Sequence, residues 1–291
     1  MTELALQLDS VCKTYKGFAL RNVSFELPRG YIMGLIGANG AGKTTILKLI
    51  LNLIRRDSGR ITVFGKDNLQ DEVEVKRNIG FVHDVPRFYD DAKLKDIGRA
   101  VAPFYPNWDR ARFDTLVGEF GLPMRKKFKT LSTGMKTQFA LSLALSHDAE
   151  LILMDEPTSG LDPIVRRELL DKLRDILQDE QKAIVFSTHI TSDLERIADY
   201  ITCVHEGQIL FCSPREEILE QWGVVRADEG VLSGDIQPLL RGVRHGAHGC
   251  EALTNDVEAA RAMLPSDAVI ETASLDDIVV LLQSEERSCS P

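Results

Sequence analysis

At 291 residues the chain exceeds the roughly 100 to 200 of a single domain, and 44% hydrophobic with 27% charged side chains describes a globular protein with a sizeable core, not a disordered or fibrous one. The balance of 35 basic against 44 acidic residues, net −9, argues against a binder of polyphosphate backbones, which is usually basic. No stretch approaches the ~20 apolar residues of a membrane-spanning helix, and five scattered cysteines, Cys12, Cys203, Cys212, Cys250 and Cys289, without a Cys-x-x-Cys pair, fit reduced thiols in a cytosolic compartment.

Met1-Thr2-Glu3 offers no positive region ahead of a long apolar core, so no secretory signal is expected. Leu4 to Leu8 and Val23 to Leu27 read as strands, with Lys16-Gly17 as a turn between them. Tyr15 sits in that connection and reads from spacing as an amphipathic strand-edge residue. Pro28-Arg29-Gly30 then turns the chain into the apolar run Ile32 to Ile36. The loop Gly37-Ala38-Asn39-Gly40-Ala41-Gly42-Lys43-Thr44-Thr45 follows at once and opens the apolar run Ile46 to Ile54. Strand, glycine loop and helix come in the order of a phosphate cradle. Glycines let the loop wrap its amides around phosphate oxygens at a helix N-terminus, Lys43 adds a cation for the β and γ phosphates, and the Thr44 hydroxyl is the expected Mg²⁺ ligand. This full match to G-x-x-x-x-G-K-[ST] predicts nucleoside triphosphate binding.

Arg60 to Phe64 is a short strand after the turn Asp57-Ser58-Gly59, and Ile79 to Val82 a buried strand before the loop His83-Asp84-Val85-Pro86-Arg87. From about 90 to 146 the character is helical, with Asn107 as a helix N-cap, Trp108, Phe113, Leu116, Val117 and Phe120 on one face, and Gly121 closing the helix. Leu131-Ser132-Thr133-Gly134 leads into a segment from Met135 to Leu145 free of Gly and Pro, with Ser132 as candidate N-cap. Leu151 to Met154 is a continuous apolar run ending in Asp155-Glu156, as a strand buried on both faces would be. Ser159-Gly160-Leu161-Asp162-Pro163 turns into an amphipathic helix, and Ala183 to Phe186 is another buried strand ending at Ser187-Thr188-His189. A hairpin from Ile201 to Phe211 turns at Glu206-Gly207. Beyond Pro214 periodicity weakens; Ala268 to Glu271 and Ile278 to Leu282 suggest a strand and an amphipathic helix.

Phosphoryl transfer to water needs a metal to neutralise charge, donors for the γ-phosphate and a group that deprotonates the water. Asp155 is the candidate for holding Mg²⁺ and Glu156 for the general base, with His189 at the end of a further strand; without the glycine loop the Asp-Glu pair reads equally well as a solvated strand end.

Taken together these segments resemble the nucleotide-binding subunit of an ABC transporter. Gly37 to Thr45 is similar to that family's Walker A, Leu131-Ser132-Thr133-Gly134-Met135 to its signature, Leu151 to Glu156 to its Walker B with catalytic Glu, Ser159 to Asp162 to its D-loop, and His189 to its switch histidine. The resemblance covers residues 1 to about 215. It implies an α/β P-loop NTPase fold with a mainly parallel core sheet, an antiparallel N-terminal β subdomain and a helical signature lobe. Residues 1–224 would form the ATPase domain and 225–291 a small α+β accessory domain. It also implies that Tyr15 stacks on adenine, and that ATP and Mg²⁺ bind in a head-to-tail homodimer, each P-loop closed by the partner's signature. Two copies of a separate multi-span permease, no nucleic acid and a place at the cytoplasmic face of the membrane complete the picture.

Two departures stand out. Thr133 and Met135 replace the usual Gly and Gln of the signature, and Asp84, or His83 one residue off, falls where a Gln usually contacts Mg²⁺ and the membrane partner. The loop Phe81 to Tyr89 and the C-terminal extension resemble ATPases of exporters for amphipathic or antimicrobial peptides, nearest to the phenol-soluble-modulin type. The competing expectation is a soluble ABC ATPase working on DNA or ribosomes. Against it stand the single cassette and the lack of a heptad run between Thr44 and Leu131.

Overall fold

The computed structural model describes residues 3–288 apart from 229, 233–234, 247–248 and 266–267; Met1, Thr2 and Cys289 lie outside them. Leu4–Tyr15 (β1) and Phe18–Pro28 (β2) pair antiparallel around Lys16-Gly17 and run longer than their alternating stretches. Bulges between Leu8 and Val11 and between Val11 and Lys13, with Ser10 at φ 49°, reset which face points inward and so break the sequence pattern without ending the strand. Ile32–Ile36 (β3) leads through the glycine loop into Lys43–Ile50 (α1). Ser58–Val63 (β4) and Lys66–Asp67 (β5) complete an antiparallel sheet of order β2-β1-β4-β5.

Glu72–Arg77 (α2) and Ile79–Val82 (β6) precede the helical lobe of Leu94–Val101 (α3), Arg110–Glu119 (α4) and Thr133–Leu145 (α5). Leu151–Asp155 (β7), Pro163–Ile176 (α6), Ala183–Thr188 (β8), Thr191–Ile197 (α7), Tyr200–His205 (β9) and Gln208–Pro214 (β10) follow. The second sheet has the order β10-β9-β3-β8-β7-β6, with β9, β3, β8, β7 and β6 parallel to one another. Every residue of β3, β7 and β8 is buried, which is why they read as unbroken apolar runs. The main core joins both sheets and α1 through Leu6, Val23, Leu35, Ile46, Ile50 and Leu153. Each such side chain stabilises by about 1.5–3 kcal/mol on full burial.

The lobe has a core of its own, including Leu94, Ile97, Phe113, Phe128, Phe139 and Leu143. Its helix α4 starts later than expected: Asp109, not Asn107, is the N-cap, its carboxylate accepting from the Arg112 amide at 3.0 Å. The Asp109 amide donates to the Ser146 carbonyl at 2.6 Å, which pins the helix start to the end of α5 and leaves Asn107 outside. Gly121 closes α4 at φ 60°.

By backbone contacts one compact unit comprises Met1–Asp193 and Ile197–Cys212, and a second Leu194–Arg196 and Ser213–Pro291. The second unit takes in Arg215–Gln221 (α8) and Gly223–Ala227 (β11), elements around the boundary expected at 224. It continues through Leu240–Gly246 (β12), Gly249–Thr254 (β13), Val257–Met263 (α9), Val269–Thr272 (β14) and Leu275–Ser288 (α10). Its antiparallel sheet, β12-β13-β11-β14, buries Val225, Leu240, Cys250 and Ala252 on one face and carries Arg226, Arg244, Glu251 and Glu271 as an ion-pair lattice.

Candidate functional site

The loop from Gly37 to Gly42 is glycine-rich for a steric reason. A Cβ on Gly37 would lie 2.1 Å from the Val204 carbonyl oxygen, and one on Gly42, at φ 118°, would lie 2.6 Å from Leu20 Cδ2. The loop can therefore hug β9 and β2 only without side chains there. Gly42 caps α1 without a side-chain acceptor, and no acidic residue occupies the first turn, so the helix N-terminus keeps its free amides and partial positive charge for an anion. A cleft of about 350 Å³ opens over it, with Asn39, Gly40, Lys43, Thr44 and Thr45 in its lining and Asp84 and Glu156 facing them. Ala41 is buried beneath.

Six side chains, from the start of α1 and the ends of β7 and β8, meet at the floor. Lys43, 6% exposed, donates from Nζ to the carbonyls of Gly37 at 2.8 Å and Ala38 at 3.3 Å, and stands 3.5 Å from Glu156 Oε1. Thr44 Oγ1 donates to Asp155 Oδ1 at 3.0 Å. Asp155, 1% exposed, accepts a second bond at the same oxygen from Ser187 Oγ at 2.6 Å. Ser187 Oγ in turn accepts from the Glu156 amide at 3.1 Å, and the Ser187 carbonyl accepts from that amide as well. Glu156 sits at φ 46°, a left-handed conformation costing about 1–3 kcal/mol in a non-glycine residue, which turns its side chain out of the strand direction. Its Oε2 lies 2.8 Å from His189 Nδ1. One carboxylate thus links the cleft's ammonium to an imidazole that is 49% exposed.

A single hydroxyl and a single carboxylate cannot complete a metal's coordination, and among the described residues no three His, Cys, Asp or Glu side chains are placed to hold a metal by themselves. Such a donor set fits Mg²⁺, which retains waters and takes phosphate oxygens along with one or two carboxylates. Asp84, not His83, lines the cleft; its Oδ1 accepts from the Val85 amide at 2.6 Å and contacts His83 Nδ1.

Other residues singled out from the sequence stand outside the cleft. Tyr15 is 43% exposed at the end of β1, with Lys13 Nζ 5.6 Å from its ring centroid; the aromatic in the lining is Phe18, its cross-strand partner. Ser132 caps α5, accepting from the Met135 amide at 3.3 Å, while Leu131 and Met135 pack into the lobe core and Thr133 is exposed. Gly134 lets α6 approach: a Cβ there would lie 3.1 Å from Val165 Cγ1. Asp162 caps α6, accepting from the Ile164 and Val165 amides at 3.1 Å. Sequence reasoning missed Ser187 and Phe18; the position of Ser187 two residues before His189 at a buried strand end was the available signal.

A second cleft, about 360 Å³, lies between the parallel sheet and the lobe, with Leu51, Phe81, Phe88, Val101 and Leu143 in its lining. Tyr105 stacks on His147 in its wall, ring centroids 3.8 Å apart.

The family model described as ABC transporter matches residues 20–159. The chain is 32% identical over 218 residues to ABC transporter ATP-binding protein YtrB of Bacillus subtilis (strain 168), covering 75% of this chain and 74% of that protein. It is also 32% identical over 191 residues to the bacitracin transport ATP-binding protein BcrA of Bacillus licheniformis, covering 65% of this chain and 62% of the relative. A solved structure of an ATP binding subunit of an ABC transporter superposes with a TM-score of 0.69 at 27% identity, covering 75% of this chain and 92% of that one. The glycine cradle, the buried strand ends behind it and these likenesses agree: the chain belongs to the family of ABC transporter ATP-binding subunits, ATPases coupled to transport.

Proposed function

We propose that the chain hydrolyses Mg-ATP at two composite sites of a head-to-tail homodimer and drives two copies of a separate permease that exports amphipathic or antimicrobial peptides. The observation that carries this reading is the Lys43–Glu156–His189 chain of contacts at the mouth of the glycine cradle. Loop amides and the α1 N-terminus bind the triphosphate, and Lys43 exchanges its carbonyl partners for the β and γ oxygens. Mg²⁺ would be held by Thr44 and Asp155 with phosphate and water oxygens, where it neutralises phosphate charge. Glu156 takes the proton of the attacking water, and His189, hydrogen-bonded to it, faces the γ-phosphate and holds Glu156 in line. In the dimer the partner's α5 N-terminus, capped at Ser132 and bare at Gly134, closes the cleft from the far side. That division of labour fits a signature segment standing outside its own subunit's cleft.

Among the described residues no helix is long and apolar enough to cross a membrane, so work on a membrane needs a partner. The second cleft is the candidate surface for it: next in sequence to its lining residues Phe88 and Tyr105 stand Tyr89 and Phe104, which are 87% and 78% exposed. The chain would then sit peripherally at the cytoplasmic face. Peptide cargo is supported by the likeness to a bacitracin transport ATP-binding protein. Affinity purification from native membranes tests the assignment. A multi-span membrane protein should accompany the wild-type chain and be lost on Phe104→Asp; a chain recovered from membranes without one would contradict it.

A further inference from the structure

Asp193 has no part in the chemistry above, yet it is a carboxylate with 1% exposure. Its Oδ2 accepts from Thr158 Oγ1 at 2.6 Å and its Oδ1 from Arg166 Nε at 2.6 Å, while Arg166 Nη2 donates to Ser192 Oγ at 2.8 Å. Charge is buried this deeply only when both oxygens are engaged, so the geometry of these partners is tightly set. The segments they join are those that matter to the cleft. Thr158 lies in the turn that begins at Glu156, and the amide of Ser159 donates back to the Glu156 carbonyl at 3.1 Å. Asp193 lies in the first turn of α7, directly after the His189 loop, and its amide donates to the Ile190 carbonyl at 3.2 Å. Arg166 belongs to α6, whose Val165 abuts Gly134 of the signature segment.

We propose that Asp193 is a positioning residue: by clamping the Thr158 turn and α6 to the start of α7, it sets His189 against Glu156 and ties that contact to the signature helix packed on α6. His189 is 49% exposed, so packing alone does not hold its ring. The Asp193 clamp fixes the backbone on both sides of the Glu156–His189 hydrogen bond. The proposal rests on the reading of Glu156 and His189 as the groups that act at the γ-phosphate.

The test uses the full-length protein and a double-mutant cycle. Thr158→Val keeps the shape and removes only the hydroxyl; Asp193→Asn removes the charge. Each should lower kcat roughly 10- to 100-fold while leaving KM for Mg-ATP within about twofold, as misplacement of a catalytic group does. Thr158→Ser, which keeps the hydroxyl, should restore the rate. In single-turnover measurements on the His189→Ala background, the same two substitutions should change the remaining rate by less than about twofold, because the ring they position is gone. Equal losses in both backgrounds would reduce the cluster to a structural ion pair and overturn the proposal, as would raised KM at unchanged kcat. Undiminished ATPase activity in Glu156→Gln would instead overturn the underlying site reading, so the two failures are distinguishable.

Discussion

Replacing Ser187 by alanine removes one hydroxyl from the floor of the cleft and leaves its surroundings in place. Ser187 and Asp155 face each other across β8 and β7, at 0% and 1% exposure, so water does not reach the carboxylate to take the hydroxyl's place. The lost bond, 2.6 Å to a carboxylate, belongs to the charge-assisted class worth about 1.5–3 kcal/mol. The Glu156 amide also loses its bond to Ser187 Oγ but keeps the Ser187 carbonyl, so the turn itself persists and adds little to the cost. At about 2–4 °C per kcal/mol for a domain of some 150–250 residues, Ser187→Ala should lower the thermal midpoint by about 3–12 °C. Thermal unfolding followed by circular dichroism in nucleotide-free buffer measures it. A midpoint within about 1 °C of wild type would refute the claim that this hydroxyl supports the buried carboxylate.

Lys43→Ala should weaken ATP binding itself, read by isothermal titration, since it deletes the cation at the cradle while Glu156 remains; wild-type affinity would count against the cradle assignment. Asp84→Asn should flatten the dependence of ATPase rate on Mg²⁺ and weaken stimulation by the permease, because it removes a negative charge from the cleft wall; superimposable Mg²⁺ titrations would take Asp84 out of the site. Burial pushes the His147 imidazole down to about 4, so between its ordinary value and that one the unfolded chain binds a proton the folded chain does not. Stability should then fall as pH drops from about 6.5 toward 4, by up to about 1.4 kcal/mol per unit, and His147→Gln should remove that slope from the pH profile of the thermal midpoint.

What could be read from the sequence was whatever is encoded locally. The glycine loop between Ile36 and Ile46, and the fully buried strands β3, β7 and β8, announce themselves because a short loop and an apolar run need no knowledge of their neighbours. Residues far apart in the chain that act together were harder to see. Ser187 supports Asp155 because β7 and β8 pair in one particular register, and Asp193 meets Thr158 and Arg166 only after α6 and α7 are placed. Tyr15 and Phe18 are cross-strand neighbours, and nothing in their spacing says which of them lines the cleft. The C-terminal sheet is hard to read because β12 has only Leu240 and Val243 as large apolar residues, among the exposed Arg241, Arg244 and His245, and a register shift between Arg241 and Arg244 breaks its alternation. Asn107 stands outside α4 because the Ser146 carbonyl, remote in sequence, fixes the start at Asp109.

The central claim is that Glu156 is the base of an ATP site completed by a second subunit, and trapping that state tests it most directly. Glu156→Gln keeps the shape beside Lys43 and His189 but cannot take a proton, so turnover should fall on the order of 10² to 10⁴ while Mg-ATP still binds. Light scattering on this variant with Mg-ATP should report a dimer that reverts to monomer when nucleotide is removed. A species that stays monomeric at ATP concentrations far above its measured affinity would contradict the composite site.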